Sequence, residues 1–220
     1  MGRNQPMRER SNADEPTVTI EAAVPGTNAA RNSRESDRVR TVLRVVKVQS
    51  SGDEGLARLK NISDGGMMLR LQLPVCLGDT VTVHLEDGRS LVSKVVWTEG
   101  QNCGVRFEDA VDCAGLLNEM ARSARAGVSR PVRMSADADA VVYTPGGIYP
   151  IRVKDISQRG MKVQHRCAFK EGLPVKILLG PGLEWRGVVR WASGDLAGIQ
   201  LSEPMSLDNL GSSNQLSRHY

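Results

Sequence analysis

Through much of the chain, hydrophobic residues fall at every second position. Met67, Leu69, Leu71 and Leu73 alternate with largely polar neighbours, as do Val81, Val83 and Leu85. A period of two puts one face of an extended segment on a core, so each set predicts a strand. Glu86-Asp87-Gly88 supplies the Asp-Gly signal of a tight hairpin, and the apolar run Leu91–Trp97 and a last strand at Cys103–Phe107 follow. The later half reads alike, with strands at Pro174–Leu179, Trp185–Trp191 and Ala197–Leu201 and a turn at Gly180-Pro181-Gly182. Between the halves, Leu116, Leu117 and Met120 fall at helical spacing. They predict a helix over Asp109–Ala124 packed on the preceding strands, with Gly127 as its stop.

The two strand groups are copies of one unit. Asn61–Phe107 lies over Asp155–Leu201 at a constant offset of 94 positions without a gap, so that NISDGGM meets DISQRGM and Trp97 meets Trp191. Gly78, Gly88 and Gly104 meet Gly172, Gly182 and Gly198. Such self-similarity marks a duplicated domain. Short, closely spaced strands with no uncovered edge describe a closed sheet. The predicted fold is therefore all-β: two small antiparallel six-stranded barrels in tandem, joined by a short helix. The corresponding boundaries are 31–125 and 126–206. Residues 1–30 are polar, Pro- and Gly-containing and aperiodic, which predicts disorder. The tail 207–220 carries no strong signal.

Composition narrows the function. The chain has 220 residues, enough for two small domains, and 40% of them are hydrophobic, enough for two cores. Only 4% are aromatic, which counts against binding single-stranded nucleic acid by base stacking. No apolar run approaches the ~20 residues of a membrane-spanning helix. The first residues lack the apolar centre of a secretory signal, so the expected location is cytoplasmic. Cys76, Cys103, Cys113 and Cys167 have neither metal-knuckle nor redox-pair spacing, and His84, His165 and His219 cluster with none of them. No metal or cofactor is expected. Neither a nucleophile–base order, nor a paired-carboxylate signature, nor a phosphate loop is present, so the reading is of a non-enzyme.

Charge is concentrated in one place. Arg31, Arg34, Arg38, Arg40, Arg44 and Lys47, against Glu35 and Asp37, carry +4, the net charge of the whole protein. A short basic block on a neutral body suggests an anion-binding segment. Within it Arg34 and Arg38 form an R-x-x-x-R pair, and 23 positions beyond Arg38 begins Asn61-Ile62-Ser63-Asp64-Gly65-Gly66, of the form [D/N]-x-S-x-x-G.

This combination, on a duplicated short barrel ending in V-V-W and G-V-R-F, resembles the PilZ domain, a bacterial receptor module for cyclic di-GMP. The resemblance spans about Arg34–Ala121 and Arg130–Pro204. It implies that cyclic di-GMP is the ligand, gripped by Arg34 and Arg38 and walled on the barrel side by Asn61, Ser63, Gly65 and Gly66. The chemistry fits. Arginine's planar fork holds phosphate or a guanine edge in bidentate fashion and stacks on purines. Asn61 and Ser63 offer oxygens to guanine N–H groups, and Gly66 allows close backbone approach and a positive φ. Binding would order the basic segment against the barrel. Ser33 stands where an extra arginine accompanies stacked ligand pairs in the family, which favours one ligand per site.

Blander readings stand beside these. Arg40-x-x-x-Arg44 is a second pair, placed to project from a first strand over Val39–Val48. NISDGG is also an ordinary turn sequence. Trp97 and Trp191 close a strand in each copy and read as rim packing. In the second copy Asp155, Ser157 and Gly160 keep the turn motif, but Arg130 and Arg133 are spaced by three and would point to opposite sides of an extended chain. That barrel is expected to be degenerate and to serve as a surface for a downstream protein partner. The leading function is a cyclic di-GMP effector with the first barrel as sensor. The alternative is a PilZ-like adaptor that binds protein and no nucleotide, and a basic nucleic-acid binder ranks last.

Overall fold

The computed structural model describes residues 39–127, 130–180 and 182–217, with side chains for all of these except 39–43 and 217. Arg34, Arg38 and the leading segment 1–30 lie outside the described residues. Strands β1 (Val39–Ser50), β2 (Asp53–Ser63), β3 (Gly66–Arg70), β4 (Thr80–His84), β5 (Ser90–Glu99) and β6 (Asn102–Phe107) form a closed antiparallel barrel in the order β1-β2-β3-β6-β5-β4. Strands β7 (Met134–Thr144), β8 (Gly147–Ser157), β9 (Gly160–His165), β10 (Pro174–Leu178), β11 (Glu184–Ser193) and β12 (Leu196–Leu201) close a second one in the equivalent order. The two six-stranded barrels in tandem are as the alternation and repeat imply.

Three strands of each barrel are bulged at matching places: at 40–44, 59–61 and 95–97 in the first, and at 135–138, 153–155 and 189–191 in the second. Bulges add twist, which a six-stranded sheet needs in order to close. Ser51 and Gly52, both at positive φ, make the two-residue turn from β1 to β2. Each barrel holds its own apolar core, the first around Val46, Leu59, Leu69, Val83 and Val95, the second around Val142, Val153, Met161, Ile177 and Val189.

Helix α1 (Cys113–Arg125) starts four residues later than Asp109. The Asp112 side chain caps it by accepting from the Gly115 amide at 2.9 Å, and Val111 is instead held by the Asp64 carbonyl at 3.0 Å. Cys113, Leu116 and Met120 bury its inner face on the first core. Beyond β12, where the sequence carries no strong signal, a 3₁₀ turn (Leu207–Leu210) and a short helix α2 (Ser213–Ser217) put Leu210 and Leu216 into the second core.

The barrels are docked. Leu56, on β2 of the first barrel, is 1% exposed and belongs to the second barrel's core, with Val45 packed beside it. Asp53 accepts from Ser212 Oγ (2.6 Å), Ser213 Oγ (2.8 Å) and the Asn214 amide (3.1 Å). Glu54 accepts from the Ser135 amide and from Lys47 Nζ (3.1 Å). Gly55 lies so close to Gly211 that a Cβ on it would strike the Gly211 carbonyl. Among the described residues, no helix is long and apolar enough to cross a membrane.

Candidate functional site

In both barrels the turn motif is built by the same local bonds. Ser63 Oγ donates to the Gly66 carbonyl at 3.2 Å, and Ser157 Oγ donates to the Gly160 carbonyl at 3.2 Å. The turn also ties down whatever follows the last strand. Gly65 O accepts from Phe107 N, Asp64 Oδ1 from Cys113 N (3.1 Å), and Gln158 O from Met205 N (2.7 Å). Much of what recurs in NISDGG and DISQRG therefore has a structural cause.

Gly66 and Gly160 do approach backbone closely, but the neighbour is the barrel itself: a Cβ would strike the Val105 carbonyl in one and crowd the Ile199 carbonyl in the other. Neither has the positive φ allowed for Gly66. Gly65 faces open space. Asn61 donates its Nδ2 to Met68 Sδ at 3.7 Å, which leaves its Oδ1 without a donor among the described residues. Arg40 lies in β1 directly across from Asn61 in backbone register.

The second copy corrects the spacing argument. Residues 130–133 precede β7 and lie in neither strand, turn nor bend, so strand alternation does not fix the side on which each side chain falls. Arg130 and Arg133 line one cavity of about 440 Å³, together with Asp155, Lys162, Trp191 and Gly198. Arg133 Nη1 donates to Asp155 Oδ1 at 2.5 Å. A second hollow of about 300 Å³ shares Arg133 and Trp191 and adds Ser157, Arg159, Gly160 and Arg190. Arg130, Asp155, Ser157 and Gly160 are thus brought together, around five cations and one carboxylate.

Trp97 and Trp191 combine the rim packing read from the sequence with an exposed face. Each does pack as rim residues do, its indole lying over Gly198 or Gly104, where a Cβ would strike the ring nitrogen. Each also remains open, 43% exposed for Trp191 and 38% for Trp97, and Trp191 forms a wall of the cationic cavity. A tryptophan recurring opposite a glycine in each copy was the available signal. An exposed indole beside arginines is a platform for a planar, electron-poor or cationic face.

Burial pushes the Cys103 thiol up to about 11 and raises that of Cys113, as for packed thiols. Among the described residues no group of His, Cys, Asp or Glu could hold a metal ion.

The PilZ domain model matches residues 32–118 and again 127–219. The chain belongs to the PilZ family. Its two PilZ domains coincide with the two barrels. Similar solved structures include PlzA of Borreliella burgdorferi in complex with c-di-GMP, at 13% identity and a TM-score of 0.36, covering 83% of this chain and 93% of that one. YcgR of Escherichia coli in complex with c-di-GMP matches at 14% identity and a TM-score of 0.28, covering 79% and 80%. MrkH of K. pneumonia, also complexed with c-di-GMP, matches at 12% and 0.29, covering 76% and 82%. No curated protein matches the chain.

Proposed function

We propose that this tandem PilZ protein is a cyclic di-GMP receptor and not an enzyme. In this reading Arg34 and Arg38 grip the ligand against Asn61, Ser63, Gly65 and Gly66 of the first barrel, and a protein partner reads the complex. One observation supports the assignment above others. The β1 bulge is one residue longer than the β7 bulge, so Arg40 pairs with Asn61 as Ser135 pairs with Asp155. Counting back two residues leads to Arg38 in one copy and Arg133 in the other. Arg133 is the arginine whose guanidinium meets Asp155, the counterpart of Asn61. In this reading Arg38 takes by the same count the place of Arg133, and the neutral amide of Asn61 leaves that cation to an anionic ligand.

A second reading has its own support: the hollow around Arg130, Arg133, Lys162 and Trp191 suits a second ligand in the second barrel. The domains in this reading are 31–125 and 126–206, preceded by 1–30 and followed by 207–220, which packs on the second core through Leu210 and Leu216. Calorimetric titration with cyclic di-GMP tests both readings. Arg38→Ala is expected to abolish binding if one ligand binds, and to halve the stoichiometry if two do, with Arg133→Ala removing the other half. No heat from a protein with native circular dichroism would refute the receptor and leave the adaptor.

A further inference from the structure

Between the barrels lies a cleft of about 240 Å³ whose first-barrel wall carries Arg58 and Arg70, with Gln101 beside them and Leu56 below. Gln158 and Ser206 of the second barrel face it. Arg58 on β2 and Arg70 on β3 are direct register partners. Like charges placed opposite one another across two strands repel. Neither arginine forms an ion pair with a carboxylate among the described residues.

The duplicated barrel shows what such a row looks like when neutralised. The counterpart of Arg58 is Arg152, which donates Nε and Nη2 to Asp137 at 2.5 and 2.6 Å and Nη1 to Asp139 at 3.2 Å. The counterpart of Arg70 is Gln164, an uncharged amide bonded to Asp195 at 2.6 Å. Ninety-four residues before those three aspartates stand Leu43, Val45 and Gln101. Over these positions the first barrel carries one more cation and three fewer carboxylates than the second, and Arg58, Arg70 and Gln101 among them line the cleft. Gln101 Oε1 accepts from Arg70 Nε (3.0 Å) and Nη2 (2.9 Å), which fixes the guanidinium plane. Asp208, a carboxylate that also lines the cleft, accepts from Gln72 Nε2 through its Oδ1 at 2.6 Å.

We infer that this cleft is a second anion site, one that takes the dianionic phosphoryl group of a small phosphomonoester. Two guanidinium forks from adjacent strands match the oxygens of a phosphate, and a dianion neutralises both. The leucine below and the amides beside it leave room for a compact organic body. Because both barrels line the cleft, its occupant tightens their docking. The site is independent of the cyclic di-GMP reading.

The test is scanning calorimetry of the full chain in inorganic phosphate or AMP, against sodium chloride at equal ionic strength. The unfolding midpoint is expected to rise with phosphoryl ligand beyond the chloride control, as mass action requires. Arg58→Gln and Arg70→Gln should each weaken binding at least tenfold, whereas Arg186→Gln, an exposed arginine of β11, should not. Arg58→Lys keeps the charge and loses the fork, so an intermediate loss is expected even if Arg58→Gln folds poorly. A midpoint that rises equally in chloride, or equally in wild type and both glutamine variants, overturns the site. So does binding of an Asp/Glu-rich peptide to the arginines where AMP and phosphate fail.

Discussion

Ser212 donates its hydroxyl to the Asp53 carboxylate at 2.6 Å, joining the first turn of one barrel to the chain end of the other across 159 residues. Asp53 also accepts from Ser213 Oγ and the backbone amides of Asn214 and Glu54. It acts as a latch between domains. A half-buried acceptor that loses such donors leaves them unpaired, at about 1–3 kcal/mol. Asp53→Ala is therefore expected to lower the melting midpoint by a few degrees, on the scale of about 2–4 °C per kcal/mol for a chain of this size. Differential scanning calorimetry reads it directly, with the exposed Glu203→Ala as control.

The latch has a pH signature. Burial alone would raise the Asp53 and Glu54 carboxyls, but the hydrogen bonds they accept outweigh it and hold both below their ordinary values of 3.8 and 4.5. Carboxylates depressed in the folded state stabilise fully above those values and lose that contribution as pH falls through the folded ones. Urea midpoints should be flat near neutrality and decline below about pH 4.5. Asp53→Asn, which cannot titrate, should shallow that decline.

Leu56 gives a sharper test of docking. Truncating a fully buried leucine costs about 2–5 kcal/mol. Although Leu56 lies on β2, Leu56→Ala should raise amide exchange in the second barrel, around α2 and β7, since its side chain sits in that core. Exchange confined to the first barrel would contradict this.

The glycines of the turn motif can be told apart. A Cβ at Gly66 meets the rigid Val105 carbonyl, whereas one at Gly65 meets nothing within 4 Å. Gly66→Ala should cost about 1–3 kcal/mol through backbone displacement, and Gly65→Ala should leave the midpoint nearly unchanged. Any loss of cyclic di-GMP affinity in Gly65→Ala then reports ligand contact and not folding.

Asp155→Asn tests the second barrel. It removes the carboxylate that engages Arg133 while keeping the shape of the turn. If the hollow takes an anionic ligand, affinity there should rise several-fold in calorimetry, most visibly at low salt.

The barrels were legible because alternation and the 94-residue offset both follow from strand geometry, which leaves its mark on every second residue. The docking was not. Gly55, Leu56 and Ala57 are buried consecutively, because Ala57 faces its own core and Leu56 the neighbour's, and no single-barrel periodicity anticipates that. The placing of Arg130 and Arg133 on one cavity was hidden for a related reason: the i, i+3 argument assumes strand alternation, and residues 130–133 lie before β7. The one-residue difference between the β1 and β7 bulges was equally hidden, since the gapless alignment begins only at Asn61.

Both sheets close on themselves, β1 onto β4 through Lys47–Gln49 and β7 onto β10 through Val141–Tyr143. Along these closing stretches neither barrel offers an incoming peptide a row of unpaired amides to zip onto. Whatever protein engages them must recognise side chains and loop tips, so its selectivity is written in surface residues that can drift in evolution while the framework stays put.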